Sequence, residues 1–148
     1  EIYGDRLREE IREKLGASYS PNAGASGSDA LDDVGYILGQ SVGKPEDLEL
    51  LLKTMRDLAD DFAKTGATAD ELDRALKPTL GQLDKSLRDN KYWLNTVMSQ
   101  CQLDPKRLEL ARTRDADYRS INLAEINALA KKYMTAGNAL LVSIKPAP

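Results

Sequence analysis

Apolar residues four apart open the chain: Tyr3, Leu7, Ile11 and Leu15. That spacing stacks them along one face of a predicted helix. Gly16 follows, where a helix C-terminus favours a residue free to take positive φ. Residues 17–30 are small and polar, with Tyr19 and Pro21 among them, and read as a strand with close neighbours. A second strand is predicted where Val34, Tyr36, Leu38 and Val42 point to one side and Gly35, Gly39 and Gly43 to the other. Joined near Asp29 to Asp33, the two strands make a hairpin with one side-chain-poor face. A helix is expected to pack on that face, and close approach by a peptide backbone is the alternative.

The middle of the chain changes period. Leu48, Leu51, Leu52, Met55, Leu58, Ala59 and Phe62 recur at helical spacing behind Pro45, Glu46 and Asp47, and Gly66 ends the run. Thr68 with Glu71 fits a capping box for a second long helix carrying Leu72, Ala75, Leu76, Leu83 and Leu87. Pro78 lacks the N–H that would bond to residue 74, which predicts a kink or break. Asn90 is the expected cap of a helix with Leu94, Val97 and Met98, and Asp104-Pro105 opens another with Leu108 and Ala111. Asn122 and Glu125 fit one more cap, ahead of Leu123, Ile126, Leu129, Ala130 and Tyr133.

The end alternates, Leu140, Val142 and Ile144 against Leu141, Ser143 and Lys145, and Pro146 stops it. A last strand returning to a sheet begun before the helices predicts an α+β fold: a few-stranded antiparallel or mixed sheet with several helices layered on one face. Residues 139–145 are expected to lie in the same sheet as residues 34–42. With 148 residues and no internal repeat or low-complexity linker, residues 1–148 read as a single domain.

Composition removes several function classes. The chain is 41% apolar and 30% charged, with a net charge of −3 and the signs interspersed. Nothing in it favours nucleic acid or an anionic membrane as partner. No apolar run approaches the roughly 18 residues of a membrane span, and no signal-peptide pattern opens the chain. A single cysteine, Cys101, excludes an intrachain disulfide framework. The chain has no histidine. Ser-His-Asp and Cys-His sites, His-ligated zinc and histidine acid/base chemistry are therefore absent from this stretch.

One stretch retains candidate chemistry. Arg12 lies at the edge of the first apolar stripe and Tyr19 follows just beyond the glycine stop. Helix end and strand start then present a guanidinium and a phenol side by side. The run Arg6 to Pro21, RLREEIREKLGASYSP, resembles the C-terminal half of the pitrilysin/insulinase-type (inverzincin) zinc metallopeptidases. The segments DNKYWLNTVMSQ and NALLVSIKPA also resemble the end of a bacterial member's final domain. In that family an arginine and a tyrosine with this spacing hold the substrate backbone near a zinc bound by the other half. Arg12 and Tyr19 match the pair. The insulin-degrading branch has tyrosine directly after Leu-Gly, whereas Ala17 and Ser18 intervene here, as in the bacterial and mitochondrial processing-type branches.

The resemblance implies a substrate-binding C-terminal portion of a zinc metalloendopeptidase. Its zinc would lie outside this segment, and the fragment alone would be inactive, holding no metal. Its partners would be a peptide or unfolded protein substrate and the N-terminal catalytic half, in the same or a partner chain. The domain's earlier strands would precede Glu1, and the bacterial envelope, as in the periplasm, would be its compartment. The alternative is a scaffold domain of the same family that has lost peptidase function.

Plainer roles compete for the same residues. Arg12 on its own reads as a surface ion pair with Glu9, and Tyr19 as a strand aromatic with a wet hydroxyl. Asp29, Asp32 and Asp33 lack the ligand pattern of a calcium loop and read as a solvated turn. Tyr92-Trp93, without a basic patch, reads as core and helix contact rather than a base-stacking platform. Cys101 reads as a small hydrophobe. Gly35, Gly39 and Gly43 do not have the spacing of a phosphate loop.

Overall fold

The structure is a computed structural model that describes residues 1–28, 31, 34–99 and 101–145. The elements run in order as α1 (Ile2–Leu7), a π-helical continuation (Arg8–Lys14), β1 (Asn22–Gly27) and β2 (Gly35–Gln40). A 3₁₀ turn at Pro45–Asp47 leads into α2 (Leu48–Thr65), followed by α3 (Ala69–Ser86). Then come α4 (Asn90–Tyr92), itself continued as a π-helix through Trp93–Met98, α5 (Lys106–Ser120) and α6 (Leu123–Tyr133). The fold is α+β, mostly helical with one antiparallel strand pair among the described residues. The chain divides into two compact units, Glu1–Ala67 with Asn127–Pro148 and Thr68–Ile126.

The first unit is built around the hairpin. Ala23 pairs with Gly39 and Ala25 with Ile37. A Cβ at Gly39 would lie 3.1 Å from Met55 Cε and 3.1 Å from Tyr3 Cε1. The side-chain-poor face is therefore covered by α1 and α2, and glycine is what lets them approach so closely. Leu7, Ile11, Leu51 and Met55 form the buried cluster, with Tyr3, Ala17, Ala23, Leu48 and Leu58 packed against it. Arg6 ties α1 to the end of α2: its guanidinium donates to the Gly66 carbonyl at 2.7 Å and stacks on Phe62, 4.7 Å from the ring centre.

Tyr3 makes a second tie, donating its hydroxyl to the Met55 carbonyl at 2.8 Å. Burial pushes its pKa from 10.0 up to about 12, because the phenolate would lose its water. The folded value lies above the unfolded one, so the protonated phenol stabilises the fold fully below pH 10, and that contribution fades as pH rises through 10 to 12. Tyr3→Phe is expected to cost about 1 kcal/mol at neutral pH, the net worth of one hydrogen bond. It should also flatten the fall in stability between pH 10 and 12, which urea titrations of both proteins at several pH values would check. Curves that stay parallel through that window would exclude the role.

Helix signals in the second unit behave as capping chemistry dictates. The Thr68 hydroxyl accepts from the Glu71 N–H at 3.2 Å, and the Glu71 carboxylate accepts from the Thr68 N–H at 2.8 Å. Asn122 and Glu125 repeat the arrangement, with Asn122 Oδ1 accepting from the Glu125 N–H at 3.1 Å. At the fourth helix the cap is Asp89 rather than Asn90, since Asp89 Oδ1 accepts from the Lys91 N–H at 2.9 Å and Asn90 is the first helical residue. The Trp93 indole donates to the Leu87 carbonyl at 2.9 Å and meets Tyr92 edge to face, 5.4 Å between ring centres. That is the helix-contact role; the core role expected with it is not taken by Trp93, which is exposed. Cys101 is free and half-buried.

Further expectations need correction. Of the kink or break expected at Pro78, the break does not occur: α3 runs from Ala69 to Ser86. Proline removes one N–H from the ladder, and the capping box together with buried Ala75 and Leu83 keeps the remaining turns in register. Residues 139–145 do not join the hairpin sheet either. They carry no strand pairing and are exposed, although Leu140 and Val142 line a groove of about 1550 Å³ that Tyr36 and Leu38 of β2 also line. Alternation prepares a segment for a sheet, but a strand also needs a hydrogen-bonding neighbour, and no described residue supplies one. Asp29, Asp32, Asp33 and Pro146 lie outside the described residues. Among the described residues, no helix is long and apolar enough to cross a membrane.

Candidate functional site

The turn between α1 and β1 is shaped by where its backbone bonds go. The Leu15 N–H donates to the Glu10 carbonyl at 3.0 Å, five residues back, which makes a wide π turn rather than an α turn. Ala17 N–H then reaches the Ile11 carbonyl at 3.1 Å across Gly16, whose φ is +63°. A left-handed glycine whose following N–H bonds back over the turn is a Schellman-type cap, widened here from five positions back to six by the π turn, and glycine takes it without strain. Ile11 anchors the turn from below. Leu15, the fourth member of the apolar row, swings out to 42% exposure because the wide turn advances each residue less around the axis.

Beyond the turn, Ser18 and Pro21 point inward, and Ser18 is only 7% exposed. Tyr19 between them is 80% exposed. Pinning the residues on either side of it fixes where the phenol emerges. The Arg12 guanidinium lies over its ring, 4.7 Å from the ring centre. The structure thus brings together the two residues that the sequence put forward. An exposed cation–π contact contributes about 0.5–1 kcal/mol, enough to bias both side chains toward one arrangement.

Stacking uses the flat faces of the two groups and leaves their hydrogen-bonding edges clear. No ion pair to Arg12 forms among the described residues: the expected bond to Glu9 is not made, because Glu9 and Glu10 both face Lys14. Lys14 Nζ lies 3.3 Å from Glu9 Oε1 and 2.9 Å from Glu10 Oε2. These two hydrogen bonds raise the Lys14 pKa. Periodicity gave no sign of the π turn, and the double clasp at Lys14 depends on it. The site is therefore an exposed arginine–tyrosine platform carrying N–H and O–H donors and no neutralising carboxylate. Such a platform suits a carbonyl or another electron-rich oxygen.

Among the described residues no group of three or more Cys, Asp or Glu side chains is placed to hold an ion, and the sequence has no histidine. The apolar groove beside β2 is a separate feature, lined by neither Arg12 nor Tyr19.

Residues 2–78 match the family model for the peptidase M16 inactive domain. Solved structures resemble the fold, two of which follow. The periplasmic protease PqqL from Escherichia coli superposes with a TM-score of 0.70 at 19% identity, over 88% of this chain and 14% of its own. A protein described as a zinc protease from Bordetella pertussis Tohama I gives a TM-score of 0.70 at 16% identity, over 93% of this chain and 77% of its own. At these identities the likeness is one of fold, and the chain spans 14% of the length of PqqL. No curated protein sequence matches the chain.

Proposed function

We infer the function from one premise: the chain belongs to the M16 peptidase family, as the C-terminal domain of the inactive type. On that premise we read residues 1–148 as a substrate-holding domain of a zinc metalloendopeptidase. Arg12 and Tyr19 donate hydrogen bonds to an extended peptide and orient its scissile carbonyl. The observation that carries this reading is the stacked pair itself, exposed, with its donor edges clear of carboxylates.

The chemistry needs such donors. As a peptide carbonyl is attacked, negative charge gathers on its oxygen, and bonds that strengthen with that charge lower the barrier. A guanidinium and a phenolic hydroxyl provide them without exchanging a proton. Zinc, in the parent enzyme, falls to residues outside this stretch, in the N-terminal half. The periplasmic setting of PqqL supports a bacterial envelope location for the parent.

The test uses the intact parent enzyme and a mixed pool of internally quenched nonapeptides lacking Asp and Glu. Tyr19→Phe is expected to lower kcat/KM by about tenfold to a hundredfold, since one lost transition-state hydrogen bond costs on the order of 1.5–3 kcal/mol while the ring still stacks. Kinetics within twofold of wild type for both this variant and Arg12→Ala would leave the domain as a scaffold.

A further inference from the structure

We propose that Lys14 is a positioning residue: by clasping the carboxylates of Glu9 and Glu10 together, it keeps the N–H edge of Arg12 open for substrate. The proposal rests on the reading of Arg12 as a substrate donor. Glu9 stands three residues before Arg12, a spacing that pairs side chains on an α-helix and that long Glu and Arg side chains still span on the wider π turn. Left to itself, its carboxylate would close on the guanidinium in the two-point geometry that favours arginine. Substrate would then have to displace a tethered competitor.

The π turn is what diverts it. On an α-helix the neighbours of residue 14 are residues 10 and 11, and residue 9 faces away. Between Arg8 and Lys14 the backbone bonds reach back five residues, so residue 9 comes beneath residue 14 and both carboxylates fall within reach of one ammonium. Arg12 is left with the Tyr19 ring as its contact among the described residues. Glu13, adjacent in sequence, projects from a different side of the helix and does not compete. Glu9, Arg12 and Lys14 are exposed and Glu10 is half-buried, so the effect is modest and sensitive to salt.

The experiment uses the intact parent enzyme and the same nonapeptide pool at low ionic strength. Lys14→Gln is expected to lower kcat/KM by about threefold to fivefold, chiefly through KM, the upper end of the scale set by an exposed ion pair. Adding Glu9→Gln to Lys14→Gln should restore kcat/KM to within twofold of wild type, and Glu9→Gln alone should leave it unchanged. A merely structural Lys14 would not be rescued in this way, because removing Glu9 adds no support to the helix. In concentrated salt the loss in Lys14→Gln should shrink. Full activity in Lys14→Gln, or a loss that Glu9→Gln does not repair, would overturn the proposal. If Arg12→Ala still impairs the enzyme, only the role of Lys14 falls; if Arg12→Ala is silent, the substrate-holding reading falls first.

Discussion

Arg12→Ala in the intact parent enzyme lowers kcat/KM by about a hundredfold to a thousandfold, with the protein still folded. The size follows from what is removed. Losing one donor to an oxyanion costs roughly 2.7–4 kcal/mol of transition-state stabilisation, and here the donor is charged. The fall should appear in kcat as well as kcat/KM, because the bond strengthens as charge develops on the carbonyl oxygen. Stability should change little: Arg12 is exposed, and its described contact is the stack on Tyr19, worth about 0.5–1 kcal/mol. Combined with Tyr19→Phe, the two losses should fall short of additive, because both donors hold one peptide segment and each positions the other through the stack. Steady-state kinetics beside a thermal melt decides the matter. A variant that melts like wild type and cleaves within twofold of it would remove Arg12 from the substrate site.

Leu7→Ala is the substitution expected to damage the fold most. Leu7 has 0% exposure and sits with Ile11, Leu51 and Met55 where α1, α2 and the hairpin meet. Three apolar atoms leave a site walled by two helices and a strand pair that cannot all move inward at once. Leu-to-Ala changes in such places cost about 2.7–5 kcal/mol, the larger values going with sites that do not collapse. Leu103→Ala is the control, since Leu103 is 87% exposed, and it should shift stability by no more than about 0.5 kcal/mol. Urea unfolding with an unchanged slope would give both values. A cost below about 1 kcal/mol for Leu7→Ala would mean the cluster is not the centre of the first unit.

Much of this was legible because the signals are local. The Thr68–Glu71 and Asn122–Glu125 boxes close within one turn, and the row Leu51, Met55, Phe62 needs only the helical period to find the buried side of α2. The approach of Arg12 to Tyr19 was also local, set by a glycine stop between a helix edge and a strand start. What escaped depends on partners elsewhere or on near-equal alternatives. Asp89 and Asn90 are adjacent and both able to cap, and the choice turned on which one took the extended backbone. The π turn left no trace, because Tyr3, Leu7 and Ile11 satisfy an α-helix equally well and only the outward swing of Leu15 betrays it. The segment 139–145 alternates as a strand does, but pairing is a property of two segments, and the sequence of one does not reveal the absence of the other.

The wide turn at Arg8–Lys14 bears on how the gene can change length. A codon lost inside an α-helix rotates everything downstream by about 100°, which usually turns a buried face outward. A turn bonded five residues back holds one residue more than a turn bonded four back, so a codon lost between Ile11 and Leu15 closes it into an ordinary α turn. Ile11 stays buried, and Gly16 still hands the chain to Ser18 and Pro21, which remain seated inside. The count of residues between the arginine and the tyrosine can therefore drift across descendants while the strand beyond them stays where it is.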